Sequence, residues 1–278
     1  MRPGRGLFLL DPGTMWAMLS HPQRQQDQHF IITGAGTGIG RAIAQRLAAE
    51  GARLSLLGRR ETPLQETAET LGEFGTSVLI RSCDVRSRAE VDEAFDLAAA
   101  QLGPFRGVIA NAGVGGVNEP GPADRFDDLV ATNLSGTYYC LRAAQRQLAG
   151  EGTRHMVLMS SILGRFGVAG YTGYCASKTA LLGLARAMAV ELAGDAVQVN
   201  ALCPGWVDTE MAWEGLSGLG QALGISPQEA HSVAMRSVPL GKMSRPAEIA
   251  GMVAWLVSAD AAGVTGQGLD MNNGAFMV

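Results

Sequence analysis

An α/β fold, with a doubly wound parallel sheet of about seven strands and helices on both faces, is what this sequence predicts. Three observations carry it. Short runs of β-branched and other apolar residues alternate with amphipathic helical stretches along most of the chain. A glycine cluster stands directly between the first such strand and the first helix. The other polar signatures follow the ends of later strands, where open parallel sheets bind their ligands. The chain has 278 residues, with no repeat at a solenoid period and no low-complexity linker, so residues 29–278 are expected to form one domain.

The first strand covers residues 29–33, an apolar run with β-branched members, and an amphipathic helix follows from about Gly38 to Glu50. Between them, Gly34, Thr37, Gly38, Ile39 and Gly40 belong to a turn that presents bare N–H groups at a helix N-terminus, whose partial positive charge suits a pyrophosphate. The spacing is G-x-x-x-G-x-G and departs from the usual G-x-G-x-x-G. After the second strand (53–57) stand Gly58, Arg59 and Arg60, where an acidic residue would accept ribose hydroxyls and an arginine would pair with a 2'-phosphate. The alternative is two solvated arginines at a turn. After the third strand (77–81), Asp84 and Val85 either hold the edge of an adenine ring, or Asp84 caps the helix beginning near Ser87. After the fourth strand (106–110), Asn111, Ala112 and Gly113 fit a close backbone approach to a cofactor or a plain turn. The fifth strand (154–159) runs into Ser160 and Ser161, the sixth (197–202) into Pro204-Gly205-Trp206-Val207-Asp208-Thr209, and a last strand is expected at 267–270.

Tyr174 and Lys178 are four apart, so on a helix they share one face. A free phenol titrates near pH ~10, so a tyrosine that exchanges protons near neutrality needs a positive neighbour, and Lys178 is the candidate. Such a pair also occurs on ordinary helix surfaces. Residues 211–240 carry Trp213, Leu216, Leu219, Leu223 and Met235 with few charges. They are expected either to form a lid over an apolar pocket or to be a helical pair packed on its own core.

Composition narrows the function classes. Lys plus Arg (22) against Asp plus Glu (26) gives a net charge of −4 with scattered basic residues, which argues against nucleic acid as a partner. No apolar stretch reaches the ~18 residues of a membrane-spanning helix. The early apolar run of residues 6–10 is stopped by Asp11 and Pro12, too soon for a secretory signal, and residues 1–28 are expected to be a loose extension. Cys83, Cys140, Cys175 and Cys203 show no metal-ligand spacing and read as reduced core residues of a cytoplasmic protein.

Together these motifs resemble the short-chain dehydrogenase/reductase family, over residues 29–274: TGAGTGIG at 33–40, NAG at 111–113, Asn133, SS at 160–161, YCASK at 174–178 and PGWVDT at 204–209. The resemblance implies a single-domain Rossmann fold and a catalytic set of Asn133, Ser161, Tyr174 and Lys178, with Ser161 thirteen residues before the tyrosine as the family pattern asks. It implies hydride transfer between a nicotinamide cofactor and a hydroxyl or carbonyl carbon, with no metal. Tyr174 would exchange the proton, Ser161 would bond the same oxygen, and Lys178 would hold the ribose and lower the phenol pKa. Asn133 would anchor a water. Cofactor contacts are expected from Gly34, Thr37–Gly40, Arg59, Arg60, Asp84, Val85, Asn111–Gly113, Tyr174, Lys178, Pro204, Gly205, Val207 and Thr209, with NADP(H) favoured and NAD(H) possible. Val114, Leu163, Phe166, Tyr171 and Trp213 flank these motifs as pocket walls for a mainly apolar small molecule such as a ketone, cyclic alcohol or 3-oxoacyl thioester. A homo-oligomer, dimer or tetramer, is expected through the helices near 127–149 and 174–194. The competing reading is a catalytically silent NAD(P)-binding sensor or scaffold. The sequence departs from the family's V-D-G-G at Met271-Asn272-Asn273-Gly274.

Overall fold

The computed structural model describes residues 23–277. The apolar runs form seven strands: β1 His29–Thr33, β2 Arg53–Gly58, β3 Val78–Ser82, β4 Gly107–Ala110, β5 Arg154–Met159, β6 Val197–Pro204 and β7 Gly268–Met271. All pair in parallel, in the order β3-β2-β1-β4-β5-β6-β7. β1 is an interior strand buried along its length, with Ile31 opposite Ser55 on one side and Val108 on the other. Strands covered on both faces read as continuous apolar runs, which is why they were visible in the sequence.

The helices are α1 Gly38–Ala49, α2 Glu61–Leu71, α3 Arg88–Leu102, α4 Phe126–Val130, α5 Thr137–Arg146, α6 Thr172–Glu191, α7 Glu210–Leu223, α8 Pro227–Met235 and α9 Pro246–Leu256. One core layer brings α3, α5 and α6 onto the sheet through Val91, Phe95, Leu141, Leu181 and Met188. The other brings α1, α2 and α9 onto the opposite face through Ile43, Leu47, Leu64, Ile249 and Val253. Strand order reverses between β1 and β4, so a crevice opens at their carboxyl ends.

Two expectations need correcting. Of the loose extension at 1–28, residues 1–22, including the residues read as lacking a secretory signal, lie outside the described residues, and 23–28 are tied to the domain chiefly through Gln25 and Arg24. Gln25 is 2% exposed, its N–H donates to the Glu50 carbonyl (2.9 Å) and its amide to the Val257 carbonyl (3.1 Å), so it satisfies the last carbonyls of two helices. Arg24 pairs with Asp260 at 2.8 Å. Cys175 is partly exposed, whereas Cys83, Cys140 and Cys203 are buried free thiols. Among the described residues no helix is long and apolar enough to cross a membrane.

Candidate active site

Two serines end β5, and the structure separates their tasks. Ser160 is buried and its hydroxyl donates to the Lys178 carbonyl at 2.7 Å, tying the strand end to α6. Ser161 accepts the Leu163 N–H at 3.1 Å, and its hydroxyl is near enough to the Tyr174 phenol to hold that group's pKa down. Tyr174 and Lys178 lie on successive turns of α6. Lys178 is 4% exposed; its ammonium donates to the Met159 carbonyl (2.9 Å) and lies 5.6 Å from the centre of the Tyr174 ring. Asn133 is fully buried in a π-helical turn, Ala131–Gly136, that joins α4 to α5, a widening common where a helix carries function. A Cβ on Gly113 would fall 3.1 Å from the Asn133 carboxamide oxygen and 3.2 Å from the Lys178 ammonium. Asn133 and Lys178 therefore converge on Gly113, and Tyr174 stands one turn before Lys178 on the same helix, with Ser161 beside its phenol.

The electrostatics differ from expectation. Burial pushes the Tyr174 phenol above its ordinary value, opposed by the nearby Ser161 hydroxyl, so Lys178 is not what sets its direction. Lys178 itself is brought down to about 8 by burial. Asn133 is also fully engaged: its carboxamide oxygen accepts the Val114 N–H (2.9 Å), and its NH2 donates to the Val114 carbonyl (3.0 Å) and the Ser177 hydroxyl (3.1 Å). A water at Asn133 would have to donate to an oxygen, since both amide hydrogens are used; the main-chain carbonyl already accepts the Thr137 hydroxyl at 2.8 Å.

From Gly113 a groove runs across the strand ends, lined by Gly34, Gly36, Thr37, Gly58, Arg59, Arg60, Asp84, Val85, Ala112, Val114 and Thr132 among others. The first turn of α1 holds no acidic residue and the Thr37 side chain does not cap it, which leaves the helix end open to an anion. Neither Arg59 nor Arg60 forms an ion pair among the described residues. Asp84 does not cap α3: Ser87 does, accepting the Glu90 N–H, while Asp84 is held by Arg86 at 2.6 Å. Val85 packs against Gly136, where a Cβ would come within 2.7 Å of it.

Other residues expected at the cofactor also brace the site. The Asn111 amide donates to the carbonyls of Thr33 (3.1 Å) and Gly34 (3.2 Å), fixing the glycine turn onto β4. A side chain on Gly40 would collide with the Gly34 carbonyl. Gly205 is pressed against Asn272, and Val207 bridges to Ser244. Thr209 caps α7 and places its methyl 3.1 Å from where a Cβ on Gly38 would lie, so the PGWVDT segment that begins at Pro204, the end of β6, meets the loop before Ile39.

On the substrate side, Val114 and Leu163 bond directly to Asn133 and Ser161, and the Tyr171 ring stands edge-on to Tyr174 at 6.5 Å. Phe166 packs on Phe276 at 5.6 Å. Trp213 is engaged within its own hairpin, stacked on His231 at 5.6 Å and donating to Asp208 at 2.8 Å. Met211 of this segment comes near Tyr174: its sulfur lies 3.2 Å from a Cβ position on Gly115, and Tyr174 lies 3.8 Å from the same point. Sequence reasoning took Met211 only as the start of the segment; its place two residues after PGWVDT was the available signal.

The family model described as Enoyl-(Acyl carrier protein) reductase matches residues 34–275. The chain is 33% identical to 2-(S)-hydroxypropyl-CoM dehydrogenase 3 of Xanthobacter autotrophicus, covering 90% of this chain and 97% of that protein. It is 31% identical to the 3-oxoacyl-[acyl-carrier-protein] reductase FabG of Escherichia coli, over 89% and 97% respectively. The chain belongs to the short-chain dehydrogenase/reductase family. An actinorhodin polyketide ketoreductase variant crystallised with NADPH superposes with a TM-score of 0.84 at 33% identity, over 90% of this chain and 98% of that one. The family's V-D-G-G departure also has a local account: Asn273 adopts φ 55° and its amide donates to the Lys242 carbonyl and the Ser244 hydroxyl, anchoring the base of the hairpin.

Proposed function

We propose that this short-chain dehydrogenase/reductase is an NADP(H)-linked oxidoreductase of ketones and the corresponding alcohols on mainly apolar carbon frames, including cyclic alcohols and 3-oxoacyl thioesters. The observation that carries the reading is buried Lys178, 5.6 Å from the Tyr174 ring on the same helix face and pressed against Gly113 at the end of a glycine-lined groove, with Ser161 beside the phenol. In reduction Tyr174, kept protonated by burial, donates its proton to the carbonyl oxygen while the Ser161 hydroxyl bonds the same atom. A bound nicotinamide dinucleotide supplies the hydride. Lys178, at about 8, has a proton it can give up or take back near neutrality and would hold the ribose hydroxyls. The Ala112–Gly113 backbone and the open end of α1 would hold the pyrophosphate side, and Arg59 or Arg60 a 2'-phosphate. We propose a cytoplasmic homo-oligomer, with Phe126 on α4 and Val190 on α6, 81% exposed, among the apolar residues available for pairing.

The test is oxidation of NADPH and NADH against a panel of aromatic, cyclic and 3-oxoacyl carbonyl compounds, with the reverse reaction on alcohols. Wild type should turn over at least one class, and Tyr174→Phe should bind cofactor normally while losing turnover by several orders of magnitude. Activity of Tyr174→Phe within tenfold of wild type would refute the assignment.

A further inference from the structure

We propose that Asn118, in the loop between β4 and α4, is a positioning residue that sets the place of Tyr174; the proposal rests on the reading of Tyr174 as proton donor. Asn118 is 7% exposed, and its side chain joins three segments. Its carboxamide oxygen accepts the Gly173 N–H at 2.8 Å. Its NH2 donates to the Asp124 carboxylate at 3.1 Å and to the Thr172 hydroxyl at 2.8 Å. Its own N–H donates to the Gly170 carbonyl at 2.8 Å. The amide has one chemically sensible orientation, because a backbone N–H needs an acceptor and a carboxylate needs a donor.

The first N–H groups of a helix have no partner within it. In α6 the N-cap residue, Tyr171, supplies no side-chain cap. Asn118 delivers that cap from another part of the chain, to the residue immediately before Tyr174. Gly173 is pressed onto α4: a Cβ there would come within 3.0 Å of Leu129 and 3.2 Å of the Phe126 backbone. Asp124 in turn caps α4 through the Phe126 N–H at 3.0 Å. One amide thus locks the starts of α4 and α6 together, and the first turn of α6 carries the phenol to Ser161. Without it that turn is free to fray and to move Tyr174 off the Ser161 oxygen.

The experiment compares Asn118→Ala, Asn118→Asp, Asp124→Asn and the double variant Asn118→Asp/Asp124→Asn. Asn118→Asp keeps the acceptor for Gly173 but sets two carboxylates against each other, and Asp124→Asn restores a donor across the pair. A displacement of about 1 Å costs on the order of a hundredfold in rate, so kcat of Asn118→Ala should fall roughly ten- to a hundredfold, with NADPH Kd within about twofold of wild type. Asn118→Asp should lose comparably at pH 8, and the double variant should recover to within about threefold of wild type. Hydrogen exchange at the Gly173 and Tyr174 amides should quicken in Asn118→Ala, measured at a temperature where the variant remains folded. A kcat within twofold of wild type for Asn118→Ala, or a double variant no better than Asn118→Asp, would overturn the proposal. A wild type that oxidises NADPH with no carbonyl compound would refute the reductase reading instead; exchange at Gly173 then decides the clamp separately, and unchanged exchange in Asn118→Ala overturns it.

Discussion

Lys178 is buried with its ammonium on one main-chain carbonyl, and burial holds its pKa at about 8 against an ordinary 10.5. Between those values the unfolded chain keeps a proton that the folded chain gives up. Stability therefore falls as pH drops from 10.5 toward 8, and the residue costs about 3 kcal/mol at neutral pH. Lys178→Met should then raise the Tm at pH 7 by several degrees while abolishing turnover and weakening cofactor binding; a lower Tm in that variant would show that the bond to Met159 outweighs the desolvation. Gly58 gives a second prediction at this scale. Its φ is not in the left-handed region, and a Cβ there would meet only Leu64, at 3.4 Å, so Gly58→Asp fits without strain. Charge-assisted bonds to a 2'-phosphate are worth about 1.5–3 kcal/mol, so wild type should prefer NADPH over NADH by roughly ten- to a hundredfold in kcat/KM, and Gly58→Asp should erode or reverse that preference. A wild-type preference for NADH would refute the role given to Arg59 and Arg60. Tyr174 and Lys178 stood out in the sequence by residue type and spacing, and Ser161 through the family resemblance. The Ser160 bond to Lys178 and the closed hydrogen bonding of Asn133 were not legible there, because both depend on which strand end faces which helix turn.

The segment from Met211 to Leu240 folds as α7 and α8 around Leu216, Met235, Val238 and Met243, a small core separate from the two that cover the sheet. Both alternatives left open by its sequence are compatible with this, since a hairpin with its own core can move as a unit. α8 is well formed locally: Ser226 and Glu229 make a capping box with Pro227 in the first turn. The end of α7 is set by Gly224 at φ 68°. Hydrogen exchange along α7 should slow when cofactor and substrate are both bound; equal exchange with and without them would make the hairpin a static wall. The two large side chains near its start should also behave differently. Met211→Ala should change the ranking of ketones by kcat/KM several-fold, because Met211 lies over Gly115 beside Tyr174. Trp213→Ala should act mainly on Tm, through loss of the His231 stack and the Asp208 bond. Strands and most helices were readable because each has one period of apolar residues. The π turn at Ala131–Gly136 and the direction of Trp213 were not, since neither leaves a periodic trace and both answer to tertiary packing.

At the scale of the whole sheet, catalysis and acid sensitivity occupy opposite ends. The tetrad and groove lie at the carboxyl ends of the strands, whereas the two histidines buried among the described residues stand at the amino ends of β1 and β5. His29 bonds the Gly103 carbonyl at 2.7 Å and the Ser55 hydroxyl at 2.8 Å, and Phe105 lies 4.8 Å away. Burial lowers its pKa to about 4. His155 is lowered to about 4 as well, by burial and then by Arg106, and its Nδ1 has no partner among the described residues. Both folded-state values lie below the ordinary 6.5, so as pH falls from 6.5 toward 4 the unfolded chain takes up protons that the folded chain refuses, and stability is lost through that window. At pH 5 the loss is about 2 kcal/mol for each histidine, which for a chain of this size lowers Tm by roughly ten degrees relative to pH 7. Thermal unfolding at fixed ionic strength should show that drop, and His155→Gln should remove about half of it, since an amide holds the same place without titrating. A Tm that does not change between pH 7 and pH 5, or a His155→Gln variant with the full wild-type drop, would mean that these histidines are protonated within the fold and that its acid limit is set elsewhere.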